Sequence, residues 1–300
     1  MADVTVIIPT HDHGPTLRHS VASVLGQTFA NLEIVIIGDG MPPDAAAVAR
    51  EVAALDDRVR LLEMPKGPRH GEIYRDEVLK TAESRHVFYL SDDDLWLPQH
   101  VELLSGLLNE HGADFVTTRS AGRLGDGTWG LAHVDLAQPF HREAMLAGHN
   151  RIGLSDAGHT LAGYRRLPHG WRTTPKGTHT DLYMWQQWLS EPWARFVTAP
   201  LPTVLHFPSH ERRDMSEADR LLELAEHRAV LADPAARSAW LERLIADDFG
   251  RASWLDAHVK ELEAWLADRE AALLWHTEKL AEAAKALDWF NAQAALRPPE

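Results

Sequence analysis

Short unbroken runs of β-branched residues alternate with amphipathic stretches through the first 120 residues. Val4, Thr5, Val6, Ile7 and Ile8 form a run without polar alternation, the pattern of a strand buried on both faces, and Pro9 ends it. Leu17, Val21, Val24 and Leu25 fall on one helical face, with Thr16 as the expected N-cap. Residues 32–37 repeat the buried-strand pattern and stop at Gly38, Asp39 and Gly40. Residues 44–55 read as helix, 59–62 as a third strand and 71–82 as helix. A strand from 86 to 91 runs into Asp92, Asp93 and Asp94; a helix over 98–111 and a strand over 115–118 follow. Strands alternating with helices pair in parallel through right-handed crossovers. The pattern predicts a doubly wound α/β domain with its ligand crevice at the strand C-termini. The loop 10–14, Asp39 and the three aspartates all follow strands and would share that crevice.

From 119 to 210 the pattern is less regular. Gly125, Asp126, Gly127 and Thr128 suggest a hairpin turn, 181–189 a Trp-rich helix and 204–207 a short strand. Beyond 210 the chain is helical: 217–232, a helix starting at Pro234, and a long one starting at Arg251. The expected division is a domain over 1–210 and a helical extension over 211–300. In the tail, Leu255, Val259, Leu262, Leu266, Arg269, Leu273, His276, Leu280, Ala283, Leu287 and Phe290 are spaced alternately by four and three. That is a heptad seam with polar breaks at Arg269 and His276. It predicts either a homodimer through the C-terminal helix or an amphipathic helix folded back on its own domain. Trp254, Trp265, Trp275 and Trp289 widen the apolar face and keep the second reading open.

Composition narrows the class. Hydrophobic residues make up 45% of the chain and charged residues 25%, as in a globular domain. No run is long and apolar enough for a membrane span, and no signal peptide is apparent, so a cytoplasmic protein is expected. The absence of cysteine excludes disulfides and thiolate metal sites. A formal charge of −14 argues against nucleic acid as a partner. Against that acidic background the aspartate triplet stands out, because three adjacent like charges repel. It is either an acidic first turn of the next helix or a site for a divalent cation carrying a phosphate-bearing ligand.

Four linked motifs carry a resemblance. They are Val6 to Thr10, then residues 20–28, then 33–40, then Tyr89 to Pro98 with the aspartates inside it. In order and spacing this resembles family 2 glycosyltransferases of the GT-A fold, over about the first 115 residues. The resemblance implies a GT-A-type mixed sheet with a Rossmann-like nucleotide-binding half. It also implies transfer of a sugar, usually with inversion, from a nucleotide diphosphate sugar to an acceptor hydroxyl, with Mg2+ or Mn2+ at the diphosphate. A UDP-sugar is the expected donor; the acceptor is unknown.

The resemblance assigns roles residue by residue. Pro9, Thr10 and His11 would contact the nucleotide. Asp39 matches the second of two family acids, with Gly38 in place of the first, and would accept from the uracil imide. Arg75 falls near an Arg-Asn pair that reads Arg75-Asp76 here, and Arg69 precedes it. Counting back from Pro98 makes Asp93 the metal ligand, Asp92 a ribose or second-sphere contact, Asp94 the least certain, and puts Ser91 where an acid often sits. Asp181 matches the second acid of a Glu-Asp pair whose first position is Thr180; it would be the catalytic base or, more simply, a helix N-cap. Asp156 is a weaker base. His206 resembles a histidine that reaches the metal or diphosphate. Trp171, Trp185, Trp188 and Trp193 form either an acceptor-stacking wall or core. Two other functions compete: a nucleotidyltransferase of related core, and a non-catalytic nucleotide-sugar-binding scaffold that assembles through its tail.

Overall fold

The computed structural model describes residues 2–295, with side chains described for all of these except 283 and 286–295. The first half alternates as the hydrophobic runs predict: β1 (Val4–Thr10), α1 (Gly14–Leu25), β2 (Leu32–Asp39), α2 (Pro43–Ala53), β3 (Val59–Met64), α3 (Glu72–Thr81) and β4 (His86–Tyr89). A two-residue strand β5 (Leu95–Trp96), α4 (His100–Glu110), β6 (Phe115–Arg123) and β7 (Trp129–Leu131) come next. Then come α5 (Pro139–Leu146), β8 (Ala157–Thr160), α6 (Leu161–Tyr164), α7 (Thr180–Leu189), β9 (Phe196–His206), α8 (Glu217–Ala232) and α9 (Pro234–Ala295).

One mixed sheet runs β3-β2-β1-β4-β8-β6-β9-β5, with β7 paired to β6 in a hairpin around Gly127. The first four strands are parallel, which brings the ends of β1, β2 and β4 to one edge. β8 is antiparallel to both β4 and β6, so β6 is not the parallel neighbour of β4 that simple alternation implies. β8 has no apolar run to announce it: its sequence is Ala157, Gly158, His159, Thr160. Gly158 is required there, because a Cβ would lie 2.1 Å from the Phe88 ring.

Both sheet faces are buried, which is why the strands carry continuous apolar runs. Val4, Val6 and Ile8 face α1, α2 and α4 through Leu17, Val24, Ala49 and Leu104. Ile7, Val35 and Ile37 face the other way, into a second cluster that also holds Leu79, Tyr89, Phe115, Trp185 and Trp188. This side holds the tryptophans. Trp171, Trp185 and Trp188 are core, each 2% exposed or less, and Trp193 lies under the Arg166 guanidinium at 3.8 Å. A wall for stacking sugar is therefore not what these tryptophans form. A third cluster joins Leu95, Leu97, Leu205 and Phe207 to Leu224 and Leu231 of α8.

Two boundaries differ from the sequence expectation. α1 starts at Gly14 with His13 at the N-cap position, and Thr16 instead donates its hydroxyl to the His13 carbonyl oxygen at 2.8 Å. Pro15 fixes the first turn, so the helix needs no hydroxyl cap. The helices expected from Pro234 and Arg251 are one continuous α9, which passes through Gly250 unbroken. A compact unit ends at Leu244, so it includes α8 and the start of α9; a second unit begins at Ile245. In that second unit Leu255, Val259, Leu262, Leu266, Leu273 and Leu280 are 48–72% exposed. The seam positions Ala283, Leu287 and Phe290, and Trp289, lie outside the described side chains. No described helix is long and apolar enough to cross a membrane.

Candidate active site

The ends of β1, β2 and β4 open into one cleft of about 560 Å³. Pro9, Thr10, His11, Asp39, Arg75, Ser91, Asp92, Asp93 and Asp181 all line it, together with Arg69. His206 does not.

At the β2 end, Asp39 is 4% exposed. Its Oδ1 accepts from the Gly67 amide at 2.6 Å, and Lys66 Nζ pairs with Oδ2. Gly71, at φ +61°, lies so close that a Cβ would stand 2.6 Å from the Asp39 carboxyl carbon. The His11 ring Nδ1 sits 2.7 Å from the Asp39 carbonyl oxygen and holds the β1 loop to the β2 loop. Among the described residues the buried Thr10 hydroxyl has no hydrogen-bond partner. Arg69 adopts φ +57°, a left-handed conformation that costs a non-glycine residue energy. Such strain is concentrated here at the cleft wall.

Arg75 is 5% exposed, lies 4.6 Å over the Trp171 ring, and keeps Nε and Nη1 unpartnered. Burial lowers its pKa, opposed by the charges of Asp181 and Glu72. Asp76, where the resemblance expects Asn, turns away: it accepts from the Tyr164 hydroxyl at 2.7 Å and pairs with Lys80. Asp181 sits in the first turn of α7, whose N-cap position is His179. Burial pushes its carboxyl up, while Arg75 and His206 pull it down. Thr180 occupies the place of the family's paired acid, yet a carboxylate does stand beside it. The fully buried Glu72 accepts from Thr180 Oγ1 and from the Thr174 amide, both at 3.4 Å. Sequence reasoning missed Glu72, which looks like an ordinary acidic first-turn residue of α3.

The three aspartates are unequal. Asp94 is completely buried and points inward. It accepts from Ser155 Oγ at 2.5 Å, His206 Nδ1 at 2.9 Å and the Phe207 amide at 2.9 Å. Burial alone would push its carboxyl up; His206 and these hydrogen bonds outweigh it and hold it low. The carboxylate in turn overcomes burial at His206 and raises that imidazole to about 10. Asp156 completes the group: burial raises it to about 7, and its Oδ1 has no partner. His206 thus uses Nδ1 on Asp94 and lies outside the lining of the cleft.

Asp92 and Asp93 face the cleft with His13. Ligand atoms of His13, Asp92 and Asp93 lie within 4.8 Å of one another, the only such cation-sized group among the described residues. Carboxylate and imidazole donors suit Mn2+ or Mg2+. His13 Nδ1 is 3.2 Å from Asp92 Oδ1, and this contact raises the imidazole to about 9. Asp93 has a second partner, Arg212, whose Nη2 is 2.6 Å from Oδ2. Arg212 is 1% exposed and lies 5.3 Å over the Phe207 ring. Burial and the adjacent Asp94 and Asp92 push the Asp93 carboxyl up, against Arg212 and His13. A second cavity of about 340 Å³ opens on the other side of His13, Asp93 and Arg212, between the starts of α1 and α8. His13 lies in the 10–14 loop that the sequence puts at the crevice, but its pairing with Asp92, 79 residues away, and that of Arg212 with Asp93, 119 residues away, carry no sequence signal.

A mixed α/β sheet with acidic, arginine-bearing loops at the ends of its parallel strands is the architecture of the GT-A fold. The model of glycosyl transferase family 2 matches residues 5–169, and the chain belongs to that family. Over 115 residues it is 29% identical to the Escherichia coli UDP-Glc:alpha-D-GlcNAc-diphosphoundecaprenol beta-1,3-glucosyltransferase WfgD, covering 38% of this chain and 44% of that protein. Over 118 residues it is 29% identical to the Staphylococcus aureus poly(ribitol-phosphate) beta-N-acetylglucosaminyltransferase TarP, covering 39% of this chain and 36% of the relative. The match therefore spans less than half the length of these relatives. Among solved structures, S. aureus TarS 1–349 in complex with UDP-GlcNAc superposes with a TM-score of 0.53 at 14% identity, over 77% of this chain and 66% of that one.

Proposed function

We propose that this chain is a metal-dependent, inverting glycosyltransferase that uses a UDP-sugar. The convergence of Asp39, Arg75, Asp92, Asp93 and Asp181 on one cleft carries this reading. The UDP-sugar names attached to WfgD and to the TarS complex support the donor class. Asp39, His11 and the 66–71 loop form the base end; each Asp39 oxygen keeps a lone pair for a base N–H beside its present partner. The unpartnered Thr10 hydroxyl and Arg75 nitrogens supply donors to ribose and diphosphate. Asp92, Asp93 and His13 would hold Mg2+ or Mn2+, which when bound neutralises the leaving diphosphate. Asp181 accepts the proton of an acceptor hydroxyl as that oxygen attacks the anomeric carbon opposite the leaving group, and the single displacement inverts the centre. Its raised affinity for protons suits it to that task. Self-association through the C-terminal helix is part of the same proposal and is independent of the chemistry.

The test is a panel of UDP-, GDP- and dTDP-sugars, each with and without Mn2+, read by thermal shift and by release of free nucleotide. A UDP-sugar at 100 times its Kd stabilises by about 2.7 kcal/mol, a shift of a few degrees. A UDP-selective, Mn2+-enhanced shift with UDP release is expected. A chain indifferent to every nucleotide sugar overturns the proposal.

A further inference from the structure

We infer that α9 pairs with α9 of a second copy of this chain in the antiparallel direction, in a register centred on Ala271. This rests on the self-association proposed above and adds its direction and register. In the heptad numbering that puts Val259, Leu266, Leu273 and Leu280 at position a, the d positions are Leu255, Leu262, Arg269 and His276. The a positions are wholly apolar, and every leucine and valine of the stripe is about half or more exposed. Such a stripe is covered when a matching stripe packs on it.

The two polar d positions decide the direction. In a parallel pair each d residue meets itself, so Arg269 would face Arg269 and His276 would face His276 in successive d layers, on either side of the Leu273 layer. Like charges meeting at a seam are unfavourable. In an antiparallel pair a residues meet d residues. With the twofold axis at Ala271 the layers become Leu262 with Leu280, Leu266 with His276, and Arg269 with Leu273, each occurring twice. No charged residue then meets its own kind in the seam. The same register puts Arg269 about 4.5 Å along the axis from Glu270 of the second copy, close enough for its guanidinium to leave the apolar layer and pair with that carboxylate. Arg269 already lies over its own Trp265 ring, at 5.0 Å, at the margin of the stripe. Trp254 and Trp275 lie outside the stripe.

The chain has no cysteine, which makes the direction directly readable. Leu262 and Leu280 are 18 residues apart, about 27 Å along one helix, too far for an internal link. In the full-length chain, Leu262→Cys alone and Leu262→Cys combined with Leu280→Cys are treated with a short bis-maleimide and run under denaturing conditions. Sedimentation equilibrium is measured in parallel, and the thermal transition confirms that both variants fold. Dimers in sedimentation, with cross-linking only in the double variant, are expected. A covalent dimer from Leu262→Cys alone signifies parallel pairing and overturns the inferred direction while leaving self-association standing. A monomer that cross-links in neither variant overturns both. All these results are independent of whether the cleft transfers sugar.

Discussion

His100 supports the aspartate loop from behind, and replacing it with glutamine isolates one acid-sensitive interaction. Its ring is completely buried, stacks on Trp96 at 4.0 Å, and places Nδ1 2.8 Å from Thr203 Oγ1, while Nε2 has no partner. Trp96 in turn donates its indole N–H to the Ser155 carbonyl oxygen at 3.0 Å, and Ser155 donates to Asp94. Burial lowers the His100 imidazole from 6.5 to about 3, and the Thr203 contact opposes this. The folded state therefore refuses a proton that the unfolded chain takes up near pH 6.5. Stability is lost as pH falls below about 6.5 and continues to be lost down to about pH 3. One pH unit of that window is about 1.4 kcal/mol, so the step from pH 7 to pH 5 costs about 2 kcal/mol through this group.

Whole-protein acid curves mix opposite signs. Asp156, raised to about 7, binds its proton in the folded state first and gains stability as pH falls. The difference between wild type and His100→Gln cancels such terms. Urea denaturation at pH 7, 6 and 5 should show wild type losing about 2 kcal/mol more than the variant across that span. A wild-type-minus-variant difference that stays constant within about 0.5 kcal/mol over the same pH range would refute the burial argument.

Asp181→Asn should lower kcat by about 10² to 10⁴ with the donor KM nearly unchanged; a variant that keeps a tenth of wild-type kcat in steady-state UDP release shows that Asp181 is not the base. Gly71→Ala puts a methyl group against the Asp39 carboxylate at a positive φ; UDP affinity by calorimetry should fall at least about tenfold, and unchanged affinity would exclude Asp39 from the base pocket. Arg212→Met removes a buried guanidinium that pairs with the cleft-facing Asp93 carboxylate and should destabilise by about 1–3 kcal/mol; in a double-mutant cycle Asp93→Asn should recover part of that loss, and strict additivity would mean that the two do not interact.

Local chain pattern determined where the four parallel strands β1–β4 are and therefore which residues share the cleft. Runs such as Val4 to Ile8 have only one low-energy use in a sheet covered on both sides, and parallel strands bring the residues after them to one edge. Pro9, Thr10, His11, Asp39, Ser91, Asp92 and Asp93 were legible for that reason. Arg75 and Asp181 came with the family resemblance, as the helices beside those strands place them. Tertiary structure decided how the charges pair. Counting along the chain makes Asp93 the metal ligand and leaves Asp94 uncertain; the fold buries Asp94 under Ser155 and His206 and sets Arg212 on Asp93. These partners lie 61, 112 and 119 residues away, beyond the reach of any local periodicity. The tryptophans divide in the same way. Sequence gives an aromatic cluster, but only the packing of α7 against β4, β6 and β8, through Tyr89, Phe115 and His159, makes Trp185 and Trp188 core instead of a sugar platform. Short-range backbone preference and apolar pattern are written residue by residue, whereas the state of a carboxylate depends on which distant cation and how little water the finished fold brings to it.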